Sequence, residues 1–278
     1  LLFDEPTAAL GAAEVDWFFG QVRRLRQQGA TVVLVSHRMG EIRELCDSYT
    51  VLRDGRHVAS GNLDDADDDQ LIKLMIGRDR RRTDRARGRQ KSERAVLDLA
   101  GLSVPSALTD VSFTVQAGEI VGVAALQGHG QRELFLALYG AARGSEGTVS
   151  IDGRRGRPFR TTTTARKAGV ALVPEDRKAE GVLLRMSVRS NLTLPALEAC
   201  GRAGWLSPKK ESGLSLQVMS RLGIRASALE EDAASLSGGN QQKVAIGKWL
   251  STGARIYLMY DPTRGVDVGT REEIYRLL

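Results

Sequence analysis

Two adjacent acids, Asp4 and Glu5, close the apolar run at the start of the chain. At the carboxyl end of a parallel strand such residues face the ligand crevice. One acid there can hold Mg²⁺, directly or through water, while its neighbour polarises an attacking water. Taken alone, the pair reads equally well as two surface acids ending a strand. His37 follows a second apolar run, Val32–Val35. A histidine so placed can contact a γ-phosphate and sense its presence; taken alone it also fits an ordinary loop-edge histidine. The third element is Leu236–Gln242, LSGGNQQ, ahead of the helical stretch Lys243–Leu250. Ser237 supplies a hydroxyl, Gly238 and Gly239 let the backbone approach a ligand, and the helix presents N–H groups and a positive dipole end. That combination binds phosphate without a lysine. The alternative is a glycine turn that caps a helix through Ser237.

Elements must hold these residues in place. Val15–Gln28 has helical spacing, Ala30–Val35 reads as a short buried strand closed by Ser36-His37, and Gly40–Cys46 as a second helix. Tyr49–Leu52 and Arg56–Ala59 flank Asp54-Gly55, a hairpin signal. Farther on, Ile120–Ala125 predicts a strand leading into the turn Gly128–Gly130, followed by a helix with Leu134, Phe135 and Leu138 facing the core. Gly169–Val173 and Arg255–Met259 predict further buried strands. Strands alternating with helices place the chain in the α/β class with a parallel sheet.

The chain has 278 residues, 42% hydrophobic and 27% charged. This excludes a disordered or fibrous chain, and the length predicts two domains. No run reaches the roughly 18 apolar residues of a membrane helix, and no leader pattern is visible. Cys46 and Cys200 lack metal-ligand spacing, which predicts reduced, buried thiols in a cytosolic protein. The net charge is +6. Nine basic residues against three acids between Gly77 and Arg94 account for all of it, so the rest of the chain is balanced. A solvated linker is the expectation, with a nucleic-acid or anionic-lipid patch as the alternative.

LFDEPTAAL near the start aligns without gaps on LMYDPTRGV, with Pro6 on Pro262 and Thr7 on Thr263, an offset of 256 residues. So long a period predicts duplicated domains. The first residues begin inside an apolar run, and the last read as a helix under way. The expectation is therefore a fragment: residues 1–76 the end of one domain, 77–95 a linker, and 96–278 most of a second. The whole would be about 500 residues.

LSGGNQQKVAIGKWL resembles the signature motif of ATP-binding cassette (ABC) ATPases, in the form typical of bacterial sugar importers. LLFDEPTAAL is similar to their Walker B strand with D-loop, and VVLVSHR to their switch histidine. VPEDRKAEG (Val173–Gly181) and DPTRGVDVG (Asp261–Gly269) resemble the second half of tandem ATPases for ribose, xylose, arabinose and galactoside uptake. The resemblance implies tandem P-loop cassettes, each with a mostly parallel core sheet and a helical signature subdomain, and ATP with Mg²⁺ as cofactors. It implies Asp4 as the Mg²⁺-site acid, Glu5 as general base and His37 as switch. Ser237, Gly238, Gly239 and Gln242 would form the opposite, ATP-binding wall.

The second half departs from the pattern. Set on G-x-x-x-x-G-K-[ST], ALQGHGQR places Gln131 at the lysine and Arg132 at the hydroxyl, with Gly128 and Gly130 in the turn. Tyr260 replaces the Mg²⁺-site acid and Asp261 the general-base glutamate. Glu175 stands at a glutamine position, and no aromatic lies between Arg94 and Leu108 to stack an adenine. The implied pair is asymmetric, with a degenerate second nucleotide site. The function implied is the ATPase of a monosaccharide importer at the cytoplasmic face of the bacterial plasma membrane. Its partners would be membrane-spanning permease subunits, touched near Pro174–Gly181, and indirectly an external sugar-binding protein, with no nucleic acid. The alternatives are a nucleoside importer and a soluble tandem ABC protein acting on ribosomes or DNA.

Overall fold

Short runs of leucine and β-branched residues form strands wherever a neighbouring run can complete their backbone hydrogen bonds. In the computed structural model, Leu2–Asp4 (β1) is joined by the helix Ala12–Gln27 (α1) to Val33–Val35 (β2). β1 and β2 pair in parallel, with Phe3 opposite Leu34 and Asp4 opposite Val35. The structure describes residues 1–7, 10–53, 55–77, 92–126, 128–202 and 205–277. Asp54 and residues 78–91, most of the basic stretch, lie outside them.

The helix Met39–Leu45 (α2) leads to the hairpin Ser48–Arg53 (β3) and Arg56–Asn62 (β4). The helix Asp68–Ile76 (α3) follows, held by a capping box between Asp67 and Gln70 and ended by left-handed Gly77. Leu63, Ala66 and Leu71 form a small core with Met39, Ile42 and Tyr49. The described residues before 78 form one compact unit together with Asp267–Arg276; those from 92 to Val266 form the other.

The second unit begins with Ala95–Val104 (β5), Leu108–Gln116 (β6), the helix Gln131–Leu138 (α4), Glu146–Ile151 (β7) and Arg154–Gly156 (β8). Its four-stranded sheet runs β6-β5-β7-β8, antiparallel throughout. This antiparallel layer is absent from the sequence reading. The helix Thr162–Lys167 (α5) and the strand Val170–Val173 (β9) come next. They are followed by the helices Val188–Thr193 (α6) and Leu197–Cys200 (α7) and the small hairpin Gly201–Arg202 (β10) and Trp205–Leu206 (β11). The helices Pro208–Leu222 (α8) and Gly238–Leu250 (α9), the strand Ile256–Met259 (β12) and the helix Val268–Leu277 (α10) complete the order.

β12 pairs with β9 in parallel, Leu258 opposite Leu172. Leu134 and Leu138 of α4 pack into one core with Leu97, Leu99, Leu102, Val170 and Leu258. Phe135 lies against it, so the spacing expected of α4 is realised. The strand expected at Ile120–Ala125 is not formed. The segment has no ladder, and Ile120 and Leu126 are 80% and 74% exposed. Apolar residues alone do not make a strand; an adjacent strand must take up the backbone groups, and none among the described residues does so here.

A separate helical core joins α6, α8 and α9 through Val188, Leu192, Val218, Met219, Leu222 and Val244. Gly247 lets α9 lie close to α8: a Cβ there would come within 2.3 Å of Leu222 Cδ1 and 3.0 Å of Val218 Cγ1. Cys200 is buried and Cys46 half-buried, both as free thiols. No helix among the described residues is long and apolar enough to cross a membrane.

Lys248, on α9, is drawn inward. Its ammonium donates to the Gly181 carbonyl at 2.6 Å and lies 5.4 Å from the Trp249 ring centroid. Burial lowers its pKa to about 8. Between that value and the unfolded lysine's, the unfolded chain binds more protons, so stability rises with pH across the window and falls as pH drops through 8. The charge therefore costs about 3 kcal/mol near neutrality. Lys248→Met is expected to be more stable than the parent relative to its high-pH difference. The gap should shrink by most of that amount between pH 7 and 10 in urea titrations of the two proteins. A pH-independent difference would count against a buried ammonium.

Candidate functional site

In the first unit the parallel ladder continues one residue past β1, the Glu5 N–H donating to the Val35 carbonyl at 2.9 Å. Glu5 then turns through φ +47°, a left-handed conformation that non-glycine residues hold only where the surroundings impose it. His37 leaves β2 two residues past its end, and its Nδ1 donates to Glu5 Oε1 at 2.6 Å. The imidazole is largely buried and the carboxylate half-exposed, which leaves Glu5 reachable by a water molecule. Asp4 is exposed beside it at the end of β1. The structure thus brings Glu5 and His37 into contact, with Asp4 adjacent. A carboxylate oriented by a histidine, next to a second acid, can accept a proton from an attacking water.

In the second unit Ser237 caps α9, its hydroxyl accepting from the Asn240 N–H at 3.4 Å. The first intrahelical bond runs from Gln241 N–H to Ser237 carbonyl at 2.9 Å. The N–H groups of Gly238 and Gly239 precede it and have no intrahelical acceptor, the condition for an anion site at a helix N-terminus. The helix begins at Gly238 rather than after Gln242, so the capping and phosphate-binding readings describe the same turn. Gln242 departs from the expectation: only 1% exposed, it faces the packed interior and has no access to a ligand at the open end.

Arg177, within the segment Pro174–Gly181 that the resemblance places near a permease, borders this turn. Its guanidinium donates to the carbonyls of Arg264 at 2.9 Å and Gly265 at 3.1 Å. A Cβ on Gly238 would lie 2.8 Å from its Nη2, so a side chain there would displace the guanidinium end. Burial pulls the Arg177 pKa down. Arg177 opens a single wide turn, Arg177–Gly181, whose start is capped by Asp176 accepting from the Lys178 and Ala179 N–H groups. Glu175 is paired with Arg264.

The residues expected to form the degenerate nucleotide site are engaged by the protein itself. Gly130 is left-handed at φ +94°, and a Cβ there would meet the Ala107 carbonyl oxygen at 2.8 Å. The Gln131 amide folds back to donate to the carbonyls of Ala125 at 3.1 Å and Leu126 at 2.7 Å. Arg132 forks onto Glu180 at 2.7 and 3.3 Å, and that bond pushes its pKa up. Tyr260 packs on Phe135 with ring centroids 5.7 Å apart. Asp261 repeats the left-handed turn of Glu5, at φ +42°. Both strands are thus followed by an acidic residue in a left-handed conformation, while the neighbouring side chains differ. Gly128 is also left-handed, at φ +81°.

Residues 108–264 match the family model described as ABC transporter. The chain is 44% identical over its whole length to a protein named ribose import ATP-binding protein RbsA 1 from Mesorhizobium japonicum, and covers 55% of it. It is 42% identical, again over its whole length, to the ribose import ATP-binding protein RbsA of Geobacillus kaustophilus, covering 56%. The chain thus spans about half the length of the curated relatives it matches. Among solved structures, a nucleotide-free ATP-binding cassette from an ABC transporter superposes with TM-score 0.55 at 19% identity, over 66% of this chain and 75% of that one. The dimeric post-hydrolysis cassette MJ0796, bound to ADP and Pi, does so with TM-score 0.55 at 21% identity, over 65% of this chain and 80% of that one. The fold is accordingly the P-loop cassette fold, and with the family model matching more than half of its length, this chain belongs to the ABC transporter family.

Proposed function

We propose that this chain is part of a two-cassette ATPase subunit that drives import of a monosaccharide, of the ribose type, into a bacterial cell. It would comprise the end of one cassette (1–76), a basic linker (77–95) and most of a second cassette (96–278). Identity above 40% over the whole of this chain, to about half the length of proteins named for ribose import, supports the substrate class. The 2.6 Å contact of His37 with Glu5 carries the mechanistic reading.

The residues present fit Mg²⁺ and ATP in the first unit. Asp4 is an exposed carboxylate at a strand's carboxyl end, where one or two carboxylates and the substrate's phosphates suffice for Mg²⁺. When bound, Mg²⁺–ATP supplies the phosphoryl group and neutralises its charge. Glu5 orients the attacking water and accepts its proton. His37 holds Glu5 through Nδ1, and as an imidazolium it also offers the Nε2 N–H to a phosphate oxygen. Ser237, Gly238 and Gly239 offer a hydroxyl and backbone N–H groups to phosphate; Gln242 belongs to the packing of α9. Gln131, Arg132, Glu175, Tyr260 and Asp261 are bonded, packed or substituted in ways that support a second site without turnover.

The subunit would act at the cytoplasmic face of the membrane, bound to permease subunits through the region of Pro174–Gly181 and served indirectly by an external sugar-binding protein. Affinity purification of the whole protein from gently solubilised cells is expected to recover a multi-spanning permease in stoichiometric amount. Recovery of ribosomes or nucleic acid in its place, released by high salt, would overturn the importer reading.

Loss of a general base typically costs about 10²–10⁴ in rate. In the whole protein, Glu5→Gln is therefore expected to remove nearly all ATP turnover and Asp261→Asn to retain most of it. Equal losses in a steady-state ATPase assay would refute the asymmetry.

A further inference from the structure

We propose that Glu41 is a positioning residue for the Glu5–His37 pair, its carboxylate fastening the segment after β1 to the segment after β2 at the points that flank the pair. The inference rests on the reading of Glu5 as general base. Glu41 lies in the first turn of α2 and is 6% exposed, among the most deeply buried charged side chains of the described residues. The Thr7 hydroxyl and Arg38 Nη1 both donate to its Oε1, the latter at 3.2 Å, and the Ser36 hydroxyl donates to its Oε2 at 2.8 Å. Arg38 Nη1 also donates to the Thr7 carbonyl at 3.2 Å, and the Arg38 N–H to Ser36 Oγ at 3.1 Å.

The placement of these partners is the argument. Thr7 stands two residues after Glu5 and is 1% exposed; Ser36 and Arg38 bracket His37. A carboxylate this deep is tolerated only with its lone pairs occupied, so the donors cannot drift without exposing a bare charge to an apolar surrounding. Glu5 itself sits in a left-handed conformation that needs its surroundings to maintain it. With Thr7 anchored on one side and Ser36 and Arg38 on the other, the backbone carrying Glu5 and the backbone carrying His37 share one fixed point. Glu41 bonds to Thr7, Ser36 and Arg38 rather than to Glu5 or His37, and acts through the backbone that carries that pair.

The test is the steady-state ATPase of the whole protein with its permease, read as kcat and KM for ATP. The variants are Glu41→Leu, Glu41→Gln and Thr7→Val, with melting temperatures and Glu5→Gln as the benchmark. A displacement of about 1 Å at a reacting group can cost about 100-fold. Glu41→Leu and Thr7→Val should accordingly lower kcat by about 10- to 100-fold with KM changed by less than about twofold. Glu41→Gln keeps the shape and one acceptor oxygen, and should recover activity to within about fivefold of the parent. Should the leucine variant fail to fold, the valine and glutamine variants carry the comparison. Parental kcat in the folded variants, or a rise in KM alone, would overturn the positioning role while Glu5→Gln remains inactive. Turnover by Glu5→Gln would instead remove the general-base reading, and this inference with it.

Discussion

The parallel register of β1 on β2 is the constraint from which the first half of the molecule follows. Three residue pairs, Leu2 with Val33, Phe3 with Leu34 and Asp4 with Val35, bring both strands to their carboxyl ends at the same level. The residues that leave those ends emerge side by side although they are 32 apart in sequence, and Glu5 and His37 meet there. A shift of one residue along the ladder would move one of them by over 3 Å and turn alternate side chains to the other face. The helix α1 between the strands supplies the crossover that a parallel pair requires.

The same backbone device recurs at the end of β12, where Asp261 takes up the left-handed conformation of Glu5. Its surroundings do not repeat. Tyr260 packs against the tilted ring of Phe135, Gln131 bonds its own loop, and Arg132 is held by Glu180.

Cations bonded to carbonyls tie this second unit together. Arg177 reaches two carbonyls of the loop after β12, and Lys248 reaches the carbonyl that ends the turn begun by Arg177. A buried cation facing carbonyls is less stabilising than one facing a carboxylate, which is why burial pulls both pKa values down. The arrangement joins the turn 177–181, the loop at 264–265 and the helix α9 into one set of contacts, at some cost in stability.

Much of this was legible in the residues. The elements before residue 54, the acids after β1, the histidine after β2 and the glycine pair at the start of α9 follow from local pattern, because capping, turns and helical period are decided within a few residues; the antiparallel sheet β6-β5-β7-β8 does not. The absence of a lysine and a hydroxyl at Gln131 and Arg132 was also visible, since charge and hydroxyl are properties of residue type. Other features needed the folded chain. Ile120–Ala125 has the composition of a strand and is not one, because a strand requires a neighbour as well as a pattern. Gln242 sits in a ligand-like motif yet faces the core, because the helix starts four residues earlier and its phase turns that position inward. Arg177 and Lys248 gave no local sign of their roles, which arise from partners distant in sequence; for Glu41, Ser36 and Arg38 are close by, but the tie to Thr7 spans 34 residues. By itself the sequence determined which chemical groups were available and on what kind of element, because these depend on neighbouring residues. Which groups meet, and which charges are enclosed, was decided by tertiary structure alone, because distance and desolvation exist only once the chain has packed.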